Sequence, residues 1–164
     1  MPTQPTAPSF HATMLHRSRI SAPMRFYEDC GLLTGRALDY GCGLDPHALP
    51  GYDPFVPQRT WHPNDWRCKD RIFDTVCCNY VLNVVEDDVV VEILEDIADL
   101  IQASGQALIT VRADLKTNSP TQFFREKDLY LRTFGEYWTS VAELKGSPRA
   151  PKPSHFHAFR CTGA

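Results

Sequence analysis

The chain has 164 residues, of which 43% are hydrophobic, enough for one two- or three-layer core and too few for two, so a single domain is expected. A formal net charge of −3 supplies no broad positive field, which argues against tight nonspecific nucleic-acid binding but leaves room for a local basic face. No apolar run approaches the roughly 18 residues of a membrane helix. The opening MPTQPTAPSF has neither the basic start nor the apolar stretch of a secretory signal, so a cytoplasmic protein with no membrane partner is expected.

In chain order, the first 15 residues begin with a Pro- and Thr-rich stretch almost without charge and read as a disordered arm, with the domain running over residues 16–164. Apolar positions at Met24, Phe26, Tyr27, Leu32 and Leu33 predict a short helix on the sheet edge, with Ser21 as N-cap and Pro23 in the first turn. Ala37 to Tyr40, Gly51 to Asp53, Thr75 to Asn79 and Ala107 to Val111 are short apolar runs between turn signals, the pattern of parallel strands covered on both faces. Asp87 to Ala103 has helical spacing through Val90, Ile93, Leu94, Ile97, Leu100 and Ile101, with Gly105 closing it as a crossover helix. Phe123 to Phe134 repeats helical spacing, Ser147 to Pro153 is a proline-rich loop, and His155 to Cys161 alternates as a final strand with both histidines on one face.

The most informative segment is RALDYGCG, Arg36 to Gly43, followed by GYDP, Gly51 to Pro54. A strand ending in Asp-x-Gly-x-Gly must turn sharply and let a ligand approach backbone that carries no Cβ. Asp53, at the tip of the next strand, can accept hydrogen bonds from the two ribose hydroxyls of a nucleoside lying over the first turn. A dinucleotide fits poorly, because Leu44, Asp45, Pro46 and His47 follow Gly43 where a third glycine would open a pyrophosphate-binding helix. The alternative makes Asp39 a turn cap and Asp53 a loop acid before proline.

At these residues the sequence resembles the class I S-adenosylmethionine-dependent methyltransferases, and it is most similar to small bacterial and phage members, including a type encoded beside DNA phosphorothioation genes. The resemblance runs from about His16 to Cys161 through HRSRISAP, LDYGCG, GYDP, YVLNVVED and a strand ending in VR. It implies a Rossmann-like α/β fold with a mostly parallel central sheet flanked by helices, and S-adenosylmethionine as cofactor. Asp39, Gly41, Cys42 and Gly43 would receive the methionine part, and Asp53 with Pro54 the ribose. Asp65 and Trp66 would flank the adenine, with a solvent-facing pair as the alternative. Arg17 or Arg112 would hold the cofactor carboxylate unless each is simply a solvated cation. Only seven residues, including Pro46 and Pro50, separate Gly43 from Gly51, too few for the helix most relatives carry there.

Asn79 and Tyr80 occupy the corner where amino-group methylases place Asp or Asn followed by Pro-Pro-Tyr or Pro-Pro-Trp, but here Val81 and Leu82 follow and both prolines are missing. Asn79 is therefore a substrate ligand or a strand cap, and Asn83 a second substrate-side group or a helix cap. The acceptor pocket is expected from Asn79 to Asn83, Arg112, Phe123 and Phe124. Among the six cysteines there is no Cys-x-x-Cys, so core thiols are expected, and the six histidines show no metal-ligand spacing. Three functions follow: methyl transfer to N or O of DNA or another nucleic-acid component, the favoured substrate; methyl transfer to a small molecule or protein; and a cofactor-binding regulator without catalysis. A monomer or homodimer fits each.

Overall fold

The computed structural model describes residues 20–41, 51–52 and 72–163. Its strands are β1 Ala37–Tyr40, β2 Gly51–Tyr52, β3 Phe73–Asn79, β4 Ile101–Arg112, β5 Ser140–Glu143 and β6 Phe156–Thr162. Its helices are α1 Ala22–Asp29, α2 Asp87–Leu100 and α3 Lys127–Phe134, with a short 3-10 turn at Leu82–Val84. The six strands form one sheet in the order β2-β1-β3-β4-β6-β5. β1 to β4 run parallel, and β6 lies antiparallel between β4 and β5. This is the expected α/β architecture with a mostly parallel sheet.

The period of two along the central strands divides the core between the two faces. Val76, Cys78, Ala107, Ile109, Phe159 and Cys161 pack against Ile93, Leu94 and Ile97 of α2 and Tyr130 and Phe134 of α3. Cys77, Leu108, Phe156 and Ala158 point the other way, toward Met24, Phe26 and Tyr27 of α1. Covering both faces explains why β3 and β4 read as continuous apolar runs. Cys77, Cys78 and Cys161 are buried free thiols, and burial pushes the Cys161 thiol up to about 12.

Ser21 caps α1 as expected, its Oγ accepting from Met24 N, and Gly31 at φ 69° reverses the chain after the last turn. The helix lies on the face of the sheet over β3, β4 and β6 and not at its edge, because its apolar stripe finds Cys77, Leu108 and Phe156 there. α2 stops at Leu100, and β4 begins at the next residue. Ile101, fully buried, pairs with Phe73 instead of continuing the helix. Gly105 thus belongs to the strand, where a register shift crowds the backbone. A Cβ at Gly105 would lie 2.6 Å from Ile101 Cγ2 and 2.9 Å from Asp74 O. Phe123 to Glu126 are not helical, since Phe123 N donates to Asn83 O and Phe124 N to Asn118 Oδ1. β5 was not expected; its half-exposed SVAE sequence lacks an apolar face.

Ile97 is fully buried in the α2 layer. Ile97→Ala is expected to lower stability by about 2–5 kcal/mol through lost burial and an unfilled cavity, measured by urea unfolding.

Candidate active site

The strand order reverses at β1, with β2 on one side and β3 on the other. Open α/β sheets bind ligands at such a point, outside the carboxyl ends of the strands. Tyr40 is in register with Cys78, so Gly41 and Asn79 leave the sheet side by side. Gly41 has φ 74°, and a Cβ there would collide with Val81 Cγ2. The turn after β1 and the exit from β3 therefore touch through a position that only glycine fills without strain.

Asp39 is buried and pairs in register with Cys77. Burial first, and the neighbouring Asp39 carboxylate second, raise the Cys77 thiol well above its usual range. It is a neutral packing group and not a nucleophile. Tyr40, on the opposite face, donates from its hydroxyl to Asp96 Oδ2 at 2.7 Å and ties β1 to α2.

At the end of β3, Asn79 and Thr110 are neighbours across the β3–β4 pairing, and the Thr110 hydroxyl donates to Asn79 Oδ1 at 3.0 Å. Asn79 Nδ2 is buried without a hydrogen-bond partner among the described residues. Such a group costs on the order of 1–3 kcal/mol unless a ligand completes it. Tyr80 follows at φ 61°, a left-handed conformation that an aromatic residue adopts at a cost of roughly 1–2 kcal/mol. Its backbone N–H still donates to Thr110 O, while its hydroxyl lies 3.0 Å from His155 Nε2. His155 leads into β6, and its carbonyl accepts from Ala113 N just past β4. The exits of β3 and β4 and the entry to β6 thus meet at one edge.

Asn83 is buried, and both ends of its amide are committed: Nδ2 donates to Gln122 Oε1 at 2.8 Å, and Oδ1 accepts from Arg112 N at 3.4 Å. It organises the loop between β4 and α3 from within. Arg112 forms a two-point pair with Asp114, with nitrogen–oxygen distances of 2.9 and 2.6 Å. That pairing is the main reason the Arg112 guanidinium is raised and the Asp114 carboxyl lowered from their ordinary values.

The structure brings Asp39, Gly41, Asn79 and Tyr80 together at the β1–β3 crevice and sets Asn83 beneath its rim. Arg17, Cys42, Gly43, Asp53, Pro54, Asp65 and Trp66 lie outside the described residues. Three contributors escape a reading of the sequence. Thr110, whose apolar strand context conceals its hydroxyl, orients Asn79. His155 lies in the turn before β6 and not on a strand face beside His157. Arg125 is the third: its guanidinium donates to Leu82 O at 2.6 Å, Val85 O at 2.7 Å and Asp87 Oδ1 at 2.8 Å. Their only sequence signal is a polar residue in or beside an apolar element.

No family model matches the chain, and no curated protein does. Solved structures do. The DhpI–SAH complex matches with a TM-score of 0.55 over 88% of this chain and 85% of its own, at 15% identity. A TehB-like SAM-dependent methyltransferase from Corynebacterium glutamicum matches with a TM-score of 0.53 over 85% of this chain and 88% of its own, also at 15% identity. The chain has the class I methyltransferase fold. The methyltransferase domain of bacterial CtHen1 shares it, with a TM-score of 0.52, 13% identity, and coverage of 84% of this chain and 97% of its own.

The Arg125 side chain is 8% exposed and its partner Asp87 is 93% exposed, so the carbonyl bonds carry the interaction and the ion pair adds little. Arg125→Ala is expected to cost about 2–3 kcal/mol in urea unfolding, and Asp87→Asn under about 1 kcal/mol. Arg125→Lys rescues only part, because an ammonium cannot fork two carbonyls in one plane.

Proposed function

We propose that the protein is an S-adenosylmethionine-dependent methyltransferase whose cofactor lies across the carboxyl ends of β1 and β2. The observation that carries the reading is the Gly41 turn, with its positive φ and its excluded Cβ, set directly beside the strained exit of β3 at the point of strand reversal. Asp39, Gly41, Cys42 and Gly43 would receive the methionine part, Asp53 and Pro54 the ribose, Asp65 and Trp66 the adenine, and Arg17 the carboxylate. What supports the reading is the Gly41 turn, whose positive φ and close approach to Val81 require glycine, with the unpartnered Asn79 amide beside it. When bound, the cofactor supplies a methyl carbon already activated by its sulfonium. The chain's own task is to align an acceptor lone pair and exclude water, and this falls to Asn79 and Tyr80, with Asn83 holding the loop in place.

For the acceptor, a small molecule is the better supported class. Arg112 is engaged with Asp114 and Arg125 with main-chain carbonyls, so neither is a ready phosphate contact, and the formal net charge is −3. A DNA acceptor, suggested by the resemblance to phosphorothioation-associated relatives, predicts activity that falls steeply with salt; a small acceptor predicts activity that barely changes between 50 and 200 mM salt on the order considered for counterion release.

Titration calorimetry with S-adenosylmethionine and S-adenosylhomocysteine tests the cofactor site. Binding is expected, and Asp53→Ala should weaken it by about 1–3 kcal/mol by leaving the ribose hydroxyls without a charged partner. Unchanged affinity in the variant would remove Asp53 from the site, and no binding by the wild type would end the reading.

A further inference from the structure

Gly31 reverses the chain after α1, and Leu32 packs back onto the apolar cluster under that helix. The turn that follows closes over a cavity of about 480 Å³, lined by Leu32, Thr34, Asp74, Ser104, Gln106 and Arg160. It lies at the end of the sheet away from Gly41, near the start of β3. Leu32 is the one large apolar group in its wall, so it suits a small hydrophilic ligand, and its size is that of a small-molecule site. Gln106, 5% exposed, fixes the wall from within. Its Nε2 donates to Leu32 O at 2.7 Å and to Thr75 Oγ1 at 3.1 Å, and the Thr75 hydroxyl donates to Thr34 O at 2.9 Å.

The same glutamine holds a cation in place. Gln106 Oε1 accepts from Arg160 Nε at 2.6 Å, and this is the only side-chain hydrogen bond of Arg160 among the described residues. The terminal edge of the guanidinium, with its two parallel N–H groups, is left for a planar anion. An anion is held in the same cavity. Asp74 Oδ2 accepts from Arg36 N at 2.8 Å and sits so close over Gly35 that a Cβ there would collide with it, while Oδ1 has no hydrogen bond among the described residues. Among the described residues the ion pairs are Arg112–Asp114, Arg125–Asp87 and Lys127–Glu143, so Arg160 and Asp74 pair neither with each other nor with a third group.

We propose that this cavity is a second binding site, for a small zwitterion with the carboxylate and ammonium of a free amino acid. The carboxylate meets the terminal edge of Arg160, and the ammonium meets Asp74 Oδ1. A simple anion would gain from Arg160 but bring its charge beside Asp74, and a simple cation would face Arg160. Only a ligand that carries both charges gains from both walls. Gln106 and Arg36 already hold the two side chains, so little ordering is left to oppose binding. The site is independent of the methyltransferase reading, because it involves neither the Gly41 turn nor the exit of β3.

Chemical-shift titration of the labelled full chain with L-serine, and with γ-aminobutyrate, whose charges lie farther apart, tests the site. Saturable changes at millimolar concentration are expected with at least one of them on the amides of Gly35, Asp74, Ser104 and Arg160, with the amides of residues 39–41 and 79–83 unmoved. Acetate and methylammonium, each carrying one of the two charges, should bind about tenfold more weakly or worse. Asp74→Asn and Arg160→Gln should each weaken zwitterion binding by about tenfold or more. Asp74→Asn keeps an oxygen for Arg36 N, and Arg160 is exposed, so both variants should fold, as their amide spectra away from the cavity will show. S-Adenosylhomocysteine has an amino-acid end of its own, so the titration is repeated with that compound in saturating amount, and the cavity changes are expected to persist. No saturable change with either amino acid, equally tight binding of acetate or methylammonium, unchanged affinity in either folded variant, or loss of the changes under S-adenosylhomocysteine would overturn the proposal.

Discussion

The parallel pairing of β1 with β3 is the constraint from which the site follows. Adding β3 on the side of β1 away from β2 leaves the carboxyl ends of β1 and β3 adjacent at the point of strand reversal, where open α/β sheets bind their ligands. In-register pairing of Tyr40 with Cys78 then brings Gly41 against Val81, which requires glycine, and projects Asn79 and Tyr80 beside it. The two-sided apolar core around β3 holds this register, since a slip by one residue would turn Val76 and Cys78 toward α1 and Cys77 toward α2.

A polar framework sits on that apolar base. Thr110 fixes the Asn79 amide, Asn83 binds Gln122 and the Arg112 backbone, and Arg125 gathers the carbonyls of Leu82 and Val85. Buried polar groups of this kind are costly unless satisfied, so the rim between β3 and α2 has few alternative arrangements. Against this background Tyr80 is left-handed and the Asn79 Nδ2 donor is buried without a partner among the described residues. Both lie at the same strand end, where strain commonly accompanies ligand binding.

Much of the fold was legible in the sequence because parallel strands covered on both faces read as apolar runs. ALDY and FDTVCCN did so, as did the α2 stripe, and the Gly-rich turn marked where the first strand ends. The failures share a cause, which is that long-range pairing overrode local signals. Gly105 resembles a helix stop, but Ile101 is claimed by Phe73. Phe123 and Phe124 have helical spacing, but their amides are claimed by Asn83 and Asn118. β5 is held by pairing with β6 rather than by burial of its own side chains. Of the site, Asp39, Gly41, Asn79 and Tyr80 could be named from their motif context, while Thr110, His155 and Arg125 reach it only through register and loop closure.

The central claim is the location of the cofactor over the carboxyl end of β1, reaching to β2 on one side and bordered by the exit of β3 on the other, and chemical-shift mapping of the isotopically labelled protein with S-adenosylhomocysteine tests it most directly. The account predicts that the largest changes fall on the amides of residues 39–41 and 79–83. At the opposite end of the sheet a cavity of about 480 Å³ is lined by Thr34, Gly35, Asp74, Gln106 and Arg160. Changes centred on that cavity, with the Gly41 and Tyr80 amides unmoved, would contradict the account.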